Sequence, residues 1–164
     1  MQKRNADNLV WIDLEMTGLE ISTDVILQAA LIITTKDLVV VDEVAFDVWQ
    51  PDEALERMSS VVRAMHERTG LVERVRASQI SVSQAEAALA DKVSTWCTSP
   101  ATLCGNSVWS DRHFIHRYMP ELDRALHYRI VDVSSLKVLA QRWHGAGSAF
   151  LAPCLLYTSP SLRD

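Results

Sequence analysis

An aspartate and a glutamate stand two residues apart inside an apolar run, in Trp11-Ile12-Asp13-Leu14-Glu15-Met16-Thr17-Gly18-Leu19. The run reads as a buried β-strand, and side chains at i and i+2 of a strand point to the same face. Asp13 and Glu15 are therefore expected side by side in an apolar setting. Two such carboxylates repel each other and are costly to desolvate. Protonation or a bound divalent cation relieves both penalties. An Asp-x-Glu strand that closes on a Gly turn is accordingly a candidate metal site, and its oxygen-only donors suit Mg²⁺ or Mn²⁺.

The rest of the chain supplies a domain around that strand. It has 164 residues, 48% of them hydrophobic, enough for one domain with a proper core. The formal net charge of -5 argues against a protein that grips long nucleic acid through a broad basic face. It leaves room for a short nucleotide held by metal ions and a few local contacts. Cys97, Cys104 and Cys154 have no metal-ligand spacing and read as small core residues or free thiols. No apolar stretch approaches the ~20 residues that span a bilayer, and the polar start (Gln2, Lys3, Arg4, Asn5) is no secretory signal. A soluble, cytoplasmic protein is expected.

Three apolar runs come first, at 8–15, 25–35 and 38–48, the last two joined by a Lys36-Asp37 turn. The continuous apolar character of the first predicts a central strand covered on both faces. The third alternates (Val41, Glu43, Ala45, Asp47) and suits a place nearer an edge. The pattern then turns helical. Pro51-Asp52-Glu53 looks like a helix start, and Ser83-Gln84-Ala85-Glu86 matches a capping box. Val82, Ala85, Leu89, Val93 and Trp96 form an amphipathic stripe that Pro100 ends. A short strand at 101–104 follows, then a helix at 110–118, a strand at 128–132, and a helix striped by Leu136, Leu139, Ala140 and Trp143. The order is three strands, then helix, strand, helix, strand, helix. It predicts an α/β fold with a mixed five-stranded sheet, an antiparallel meander plus two parallel strands, flanked by helices. Residues 1–144 form this domain. Residues 145–164 have neither helical nor strand periodicity and read as an irregular tail with the look of non-native sequence.

A third acid follows the fourth strand, in Gly105-Asn106-Ser107-Val108-Trp109-Ser110-Asp111. Functional groups of open α/β sheets collect at the carboxyl ends of strands. If the fourth strand lies beside the first, Asp111 faces Asp13 and Glu15, and three carboxylates could hold two ions about 3.5–4 Å apart. Asp111 as a plain helix-capping residue is an equal alternative on spacing alone.

Several separated blocks resemble the oligoribonuclease family of DEDD-type 3′→5′ exonucleases. They are Asn8 through Leu19, His66-Glu67-Arg68-Thr69-Gly70-Leu71-Val72-Glu73-Arg74-Val75, Cys104-Gly105-Asn106-Ser107, Met119-Pro120-Glu121-Leu122, and His127 through Lys137. The resemblance implies a ribonuclease H-like fold and a metal-dependent exoribonuclease, a homodimer that cuts very short RNA, chiefly dinucleotides, to 5′-mononucleotides. Asp13, Glu15 and Asp111 match three of the family's four metal-binding acids. Leu19 matches an apolar wedge between the substrate's bases. Ser107, Arg129 and Ser134 match groups that cap the 5′ phosphate, and Tyr128 an aromatic that reaches into the neighbouring subunit's site. His66 is placed with the substrate-binding residues. Without the resemblance His66 reads as a solvated turn residue, Tyr128 as a core or interface aromatic, and Arg129 as a surface ion-pair partner.

The chain departs from the family pattern in three places. Val61 stands where the family usually has Trp, and Gln28 where it usually has Glu. The family continues with a helix carrying a His and, five residues later, an Asp, the proposed general base and the fourth acid. Here His144 is followed five positions on by Ala149. The expectation is a chain of exoribonuclease ancestry that is nearly inactive. The other expectations weighed are a non-catalytic dimeric nucleotide-binding remnant and a proofreading-type DNA exonuclease.

Overall fold

The structure, a computed structural model, describes residues 4–144. The tail expected at 145–164 lies outside the described residues. Five strands form one sheet: β1 (Leu9–Met16), β2 (Ile26–Thr34), β3 (Val40–Asp47), β4 (Ala101–Gly105) and β5 (Leu126–Asp132). Their spatial order is β3-β2-β1-β4-β5. The β1–β2 and β2–β3 pairs are antiparallel, and β1–β4 and β4–β5 are parallel. The expected meander with two added parallel strands is therefore present. β1 is central and β3 is at an edge, as their apolar patterns required.

The sheet has a core on each face. Val10, Ile12 and Leu14 of β1 and Ala29, Leu31 and Ile33 of β2 point into the larger one. Helices α4 (Val82–Trp96), α5 (Val108–Tyr118) and α6 (Pro120–Ala125) cover it with Leu89, Val93, Phe114, Ile115 and Leu122. Helices α1 (Asp52–Glu56), α2 (Ser60–Arg68) and α3 (Leu71–Ala77) build a smaller cluster around Leu55, Leu71, Val72 and Val75. Leu27 joins this second cluster, at the point where the β1–β2 register shifts between Glu15 and Met16. Such bulges redirect one side chain and gather next to functional sites. Cys97 and Cys104 are buried, and burial pushes their thiols up to about 11 and about 12. They are inert core residues, as read from the sequence; Cys154 lies outside the described residues.

The capping box of α4 is built by Ser81 and Gln84, not by Ser83 and Glu86. Ser81 is the residue with extended backbone before the helix, so its hydroxyl, not that of Ser83, reaches the orphan amide. Glu86 lies within the helix and turns inward, 8% exposed. Its Oε1 accepts from the backbone amides of Glu121 at 2.6 Å and Leu122 at 3.3 Å. An acidic residue of α4 thus satisfies the first amides of α6, which open without a side-chain cap of their own. The helix after β5, α7 (Val133–His144), has no buried residue.

Candidate active site

The site forms where β1 outruns β4. The parallel pairing ends at Trp11 and Cys104, five residues before β1 does. The remaining edge of β1 carries backbone groups that need partners. Leu14 finds one in α5: its amide donates to Asp111 Oδ1 at 2.9 Å, a buried bond between residues 97 apart in sequence. Leu14 lies between Asp13 and Glu15 in sequence, so the Asp111 carboxylate is tied to the backbone of the Asp-x-Glu segment. Glu15 is 7% exposed and Asp111 1%.

The turn after β4 makes this approach possible. A Cβ on Gly105 would lie 2.9 Å from the Ile12 carbonyl oxygen, so only glycine allows the two backbones so close. Ser107 adopts the left-handed conformation (φ 53°) and starts α5. Asp111 then falls in the first turn of α5, where the helix dipole favours an anion. Asp111 is thus no simple cap of its own helix, since its oxygen is spent on another element.

On the other side of β1, Glu15 is paired across the strand with Gln28, and Gln28 with Asp47. Gln28 Nε2 donates to Asp47 Oδ1 at 2.6 Å, and Arg74 Nε donates to Asp47 Oδ2 at 2.9 Å. A row of linked side chains therefore runs from β2 through β3 to α3, with the arginine balancing Asp47.

The sequence-predicted substrate residues divide. Ser107 and Ser134 are brought together by Asp132, whose Oδ1 accepts from Ser107 N at 3.0 Å, Ser134 N at 2.9 Å and Ser134 Oγ at 2.6 Å. This linking role of Asp132 has no sequence signal, because two of its three donors are backbone amides. Leu19 is on a loop after β1 and 56% exposed. Tyr128 lies on the edge strand β5, 76% exposed, with the Arg129 guanidinium 5.0 Å from its ring centre. His66 is neither solvated nor on a turn. It is buried in α2, and its Nε2 lies 3.0 Å from the Met16 carbonyl oxygen. A carbonyl only accepts, so Nε2 carries the proton and His66 holds the end of β1.

The carboxylate oxygens of Asp13, Glu15 and Asp111 are the right donors for a hard divalent cation. Among the described residues, no three His, Cys, Asp or Glu side chains already stand as a metal cage.

A model of an exonuclease family (RNase_T) matches residues 10–152. An oligoribonuclease of Francisella tularensis subsp. tularensis is 45% identical over 151 residues, covering 90% of this chain and 83% of that protein. An oligoribonuclease of Corynebacterium diphtheriae is 49% identical over 140 residues, covering 84% and 67%. Among solved structures, product-bound exonuclease I superposes with a TM-score of 0.66 at 16% identity, over 87% of this chain and 34% of that one. E. coli exonuclease I with a 5cy-dA13 oligonucleotide gives 0.67 at 14% identity, over 86% and 31%. The chain spans about a third of these exonuclease I chains, and the likeness concerns the fold, which is ribonuclease H-like. Family model and fold together define an exonuclease domain. Within that class, the chain belongs to the oligoribonuclease family.

Burial holds the His66 imidazole below its ordinary pKa, against a smaller upward pull from the Met16 carbonyl. The folded chain therefore binds fewer protons here than the unfolded chain. The contribution to stability is full above the unfolded value of about 6.5 and is lost as pH falls through the lower folded value. His66→Gln keeps a donor for Met16 without a titrating ring. Thermal melts at pH 7.5 and pH 5 are expected to lose less Tm in His66→Gln than in the parent; equal losses would refute this.

Proposed function

We propose that this chain is a metal-dependent 3′→5′ exoribonuclease acting on short oligoribonucleotides, chiefly dinucleotides, and releasing 5′-mononucleotides. The observation that carries the reading is the Asp111–Leu14 bond, which ties the third acid to the backbone amide that lies between the first two in sequence. Asp13, Glu15 and Asp111 are the residues that would hold Mg²⁺ or Mn²⁺. Bound there, such ions neutralise charge on the scissile phosphate and lower the pKa of an attacking water.

The protein's own residues set the substrate. Leu19 inserts between the two bases, an apolar contact that its exposure permits. Ser107 and Ser134, gathered by Asp132, and Arg129 on β5 receive the 5′ phosphate. Asp132 spends one oxygen on three donors and so directs both serine backbones toward one point. A closed phosphate end limits length by sterics, and an acidic protein suffices because only one or two phosphates need neutralising. His66 acts from beneath, through the end of β1. Val61 is 77% exposed on α2 and offers little apolar surface to a base.

The functional unit is a homodimer in this reading. Its support is an exposed Tyr128 on the edge strand and an α7 face with Leu136 56% and Trp143 71% exposed. Light scattering is expected to give twice the chain mass; a monomer mass would remove the dimer. The place of action is the cytoplasm, in keeping with the absence, among the described residues, of any helix long and apolar enough to cross a membrane.

Turnover by this polypeptide is proposed to be weak. Within residues 144–164 no His is followed five positions on by Asp. Loss of a general base costs about 10²–10⁴-fold in rate. A labelled diribonucleotide with Mg²⁺ is expected to be cleaved more than about tenfold more slowly than by the Francisella tularensis relative. Cleavage within tenfold would overturn the impairment. Equal competition by long single-stranded DNA would instead favour a proofreading-type DNA exonuclease, and binding without product a nucleotide-binding remnant.

A further inference from the structure

The loop that follows β1 is closed by one carboxylate. Asp24 Oδ1 accepts from the Thr17 hydroxyl at 2.8 Å, and Asp24 Oδ2 accepts from the Glu20 amide at 2.8 Å. Thr17 Oγ1 in turn accepts from the Val25 amide at 3.1 Å, and Thr17 N donates to the Val25 carbonyl at 3.0 Å. The Asp24 amide returns to the Glu20 carbonyl at 2.7 Å. The clamp therefore grips the chain on both sides of Gly18 and Leu19. Hydrogen bonds to an ionised acceptor are the stronger kind.

Two further features mark this as a built arrangement. A Cβ on Gly18 would lie 2.5 Å from Asp24 Oδ2, so the carboxylate occupies the space that any larger residue would need. From the opposite side, Tyr118 Oη donates to the Asp24 carbonyl at 2.7 Å. Tyr118 is on α5, the helix that also carries Asp111, and its ring stacks on buried Phe114 with centres 6.1 Å apart. One helix thus fixes Asp111 against β1 and Asp24 against the loop. Meanwhile Leu19, Glu20, Ser22 and Thr23 are exposed, so polar bonds and not core burial hold the loop's shape.

We propose that Asp24 is a positioning residue for substrate. By bracketing Gly18 and Leu19, its carboxylate holds the Leu19 side chain in register with the acids on β1 and α5. The proposal rests on the reading of Leu19 as the residue that meets the bases. Asp24 touches no substrate and acts through Leu19, so the two residues form one energetic unit.

The test has two arms on the full chain. In the first, amide hydrogen exchange is followed in Asp24→Ala. Exchange across residues 18–25 is expected to rise by about tenfold or more, with β1 and β2 protection retained. In the second, the Kd of a fluorescent diribonucleotide in Mg²⁺ is measured for Leu19→Ala, Asp24→Ala and the double variant. Each single variant is expected to weaken binding about tenfold, and the double to be within about twofold of either single. Thr17→Ser retains the hydroxyl and is expected to bind as the parent does. Thr17→Val and Gly18→Ala reproduce Asp24→Ala. Additive losses in the double variant, or loop exchange unchanged in Asp24→Ala, overturn the proposal. If the parent binds no diribonucleotide, the proposed function fails, and the exchange arm alone decides whether Asp24 orders the loop.

Discussion

The hydrogen bond from the Leu14 amide to Asp111 is the contact on which the site depends. It exists because β4 is short. A longer β4 would take the open edge of β1 for backbone pairing and leave α5 no point of attachment. The stop at Gly105, the left-handed Ser107 and the start of α5 convert a would-be ladder bond into a carboxylate contact. A buried amide must be satisfied, so the same requirement that completes the sheet also places the third acid.

The surrounding structure distributes the resulting negative charge. Asp47 is balanced by Arg74, and the neutral Gln28 stands between Asp47 and Glu15. A carboxylate in place of Gln28 would put three acids in one cross-strand row. Asp132 and Asp24 are engaged by backbone and hydroxyl donors. Acids outside the Asp13, Glu15 and Asp111 group therefore serve as acceptors that fold loops. This is how a chain of net charge -5 can present local order to a phosphate without a basic face.

What was legible in the sequence followed hydrophobic period. The apolar run around Asp13 predicted a central strand, the alternation of Val41 to Asp47 an edge, and the stripe from Val82 to Trp96 a helix, and all three are present. Asp111 could be suspected but not placed, because strand adjacency is a long-range property. Helices α2, α3 and α6 are not legible in the sequence, since short helices leave too few turns for a period to show. Glu86 mimics a capping-box residue in sequence because a capping box is a local pattern, whereas its partners, Glu121 and Leu122, lie across the fold. Asp24 and the linking role of Asp132 escape in the same way, as do the burial of His66 and its Met16 partner: each bonds to backbone groups, and backbone partners leave no trace in side-chain identity.

The decisive measurement is the position of a divalent ion. Crystals of the full chain loaded with Mn²⁺ would locate it by anomalous scattering. A peak ligated by carboxylate oxygens of Asp13, Glu15 and Asp111 is the predicted result. Saturating Mn²⁺ with no peak at these three residues, or with ions bound only elsewhere, would contradict it.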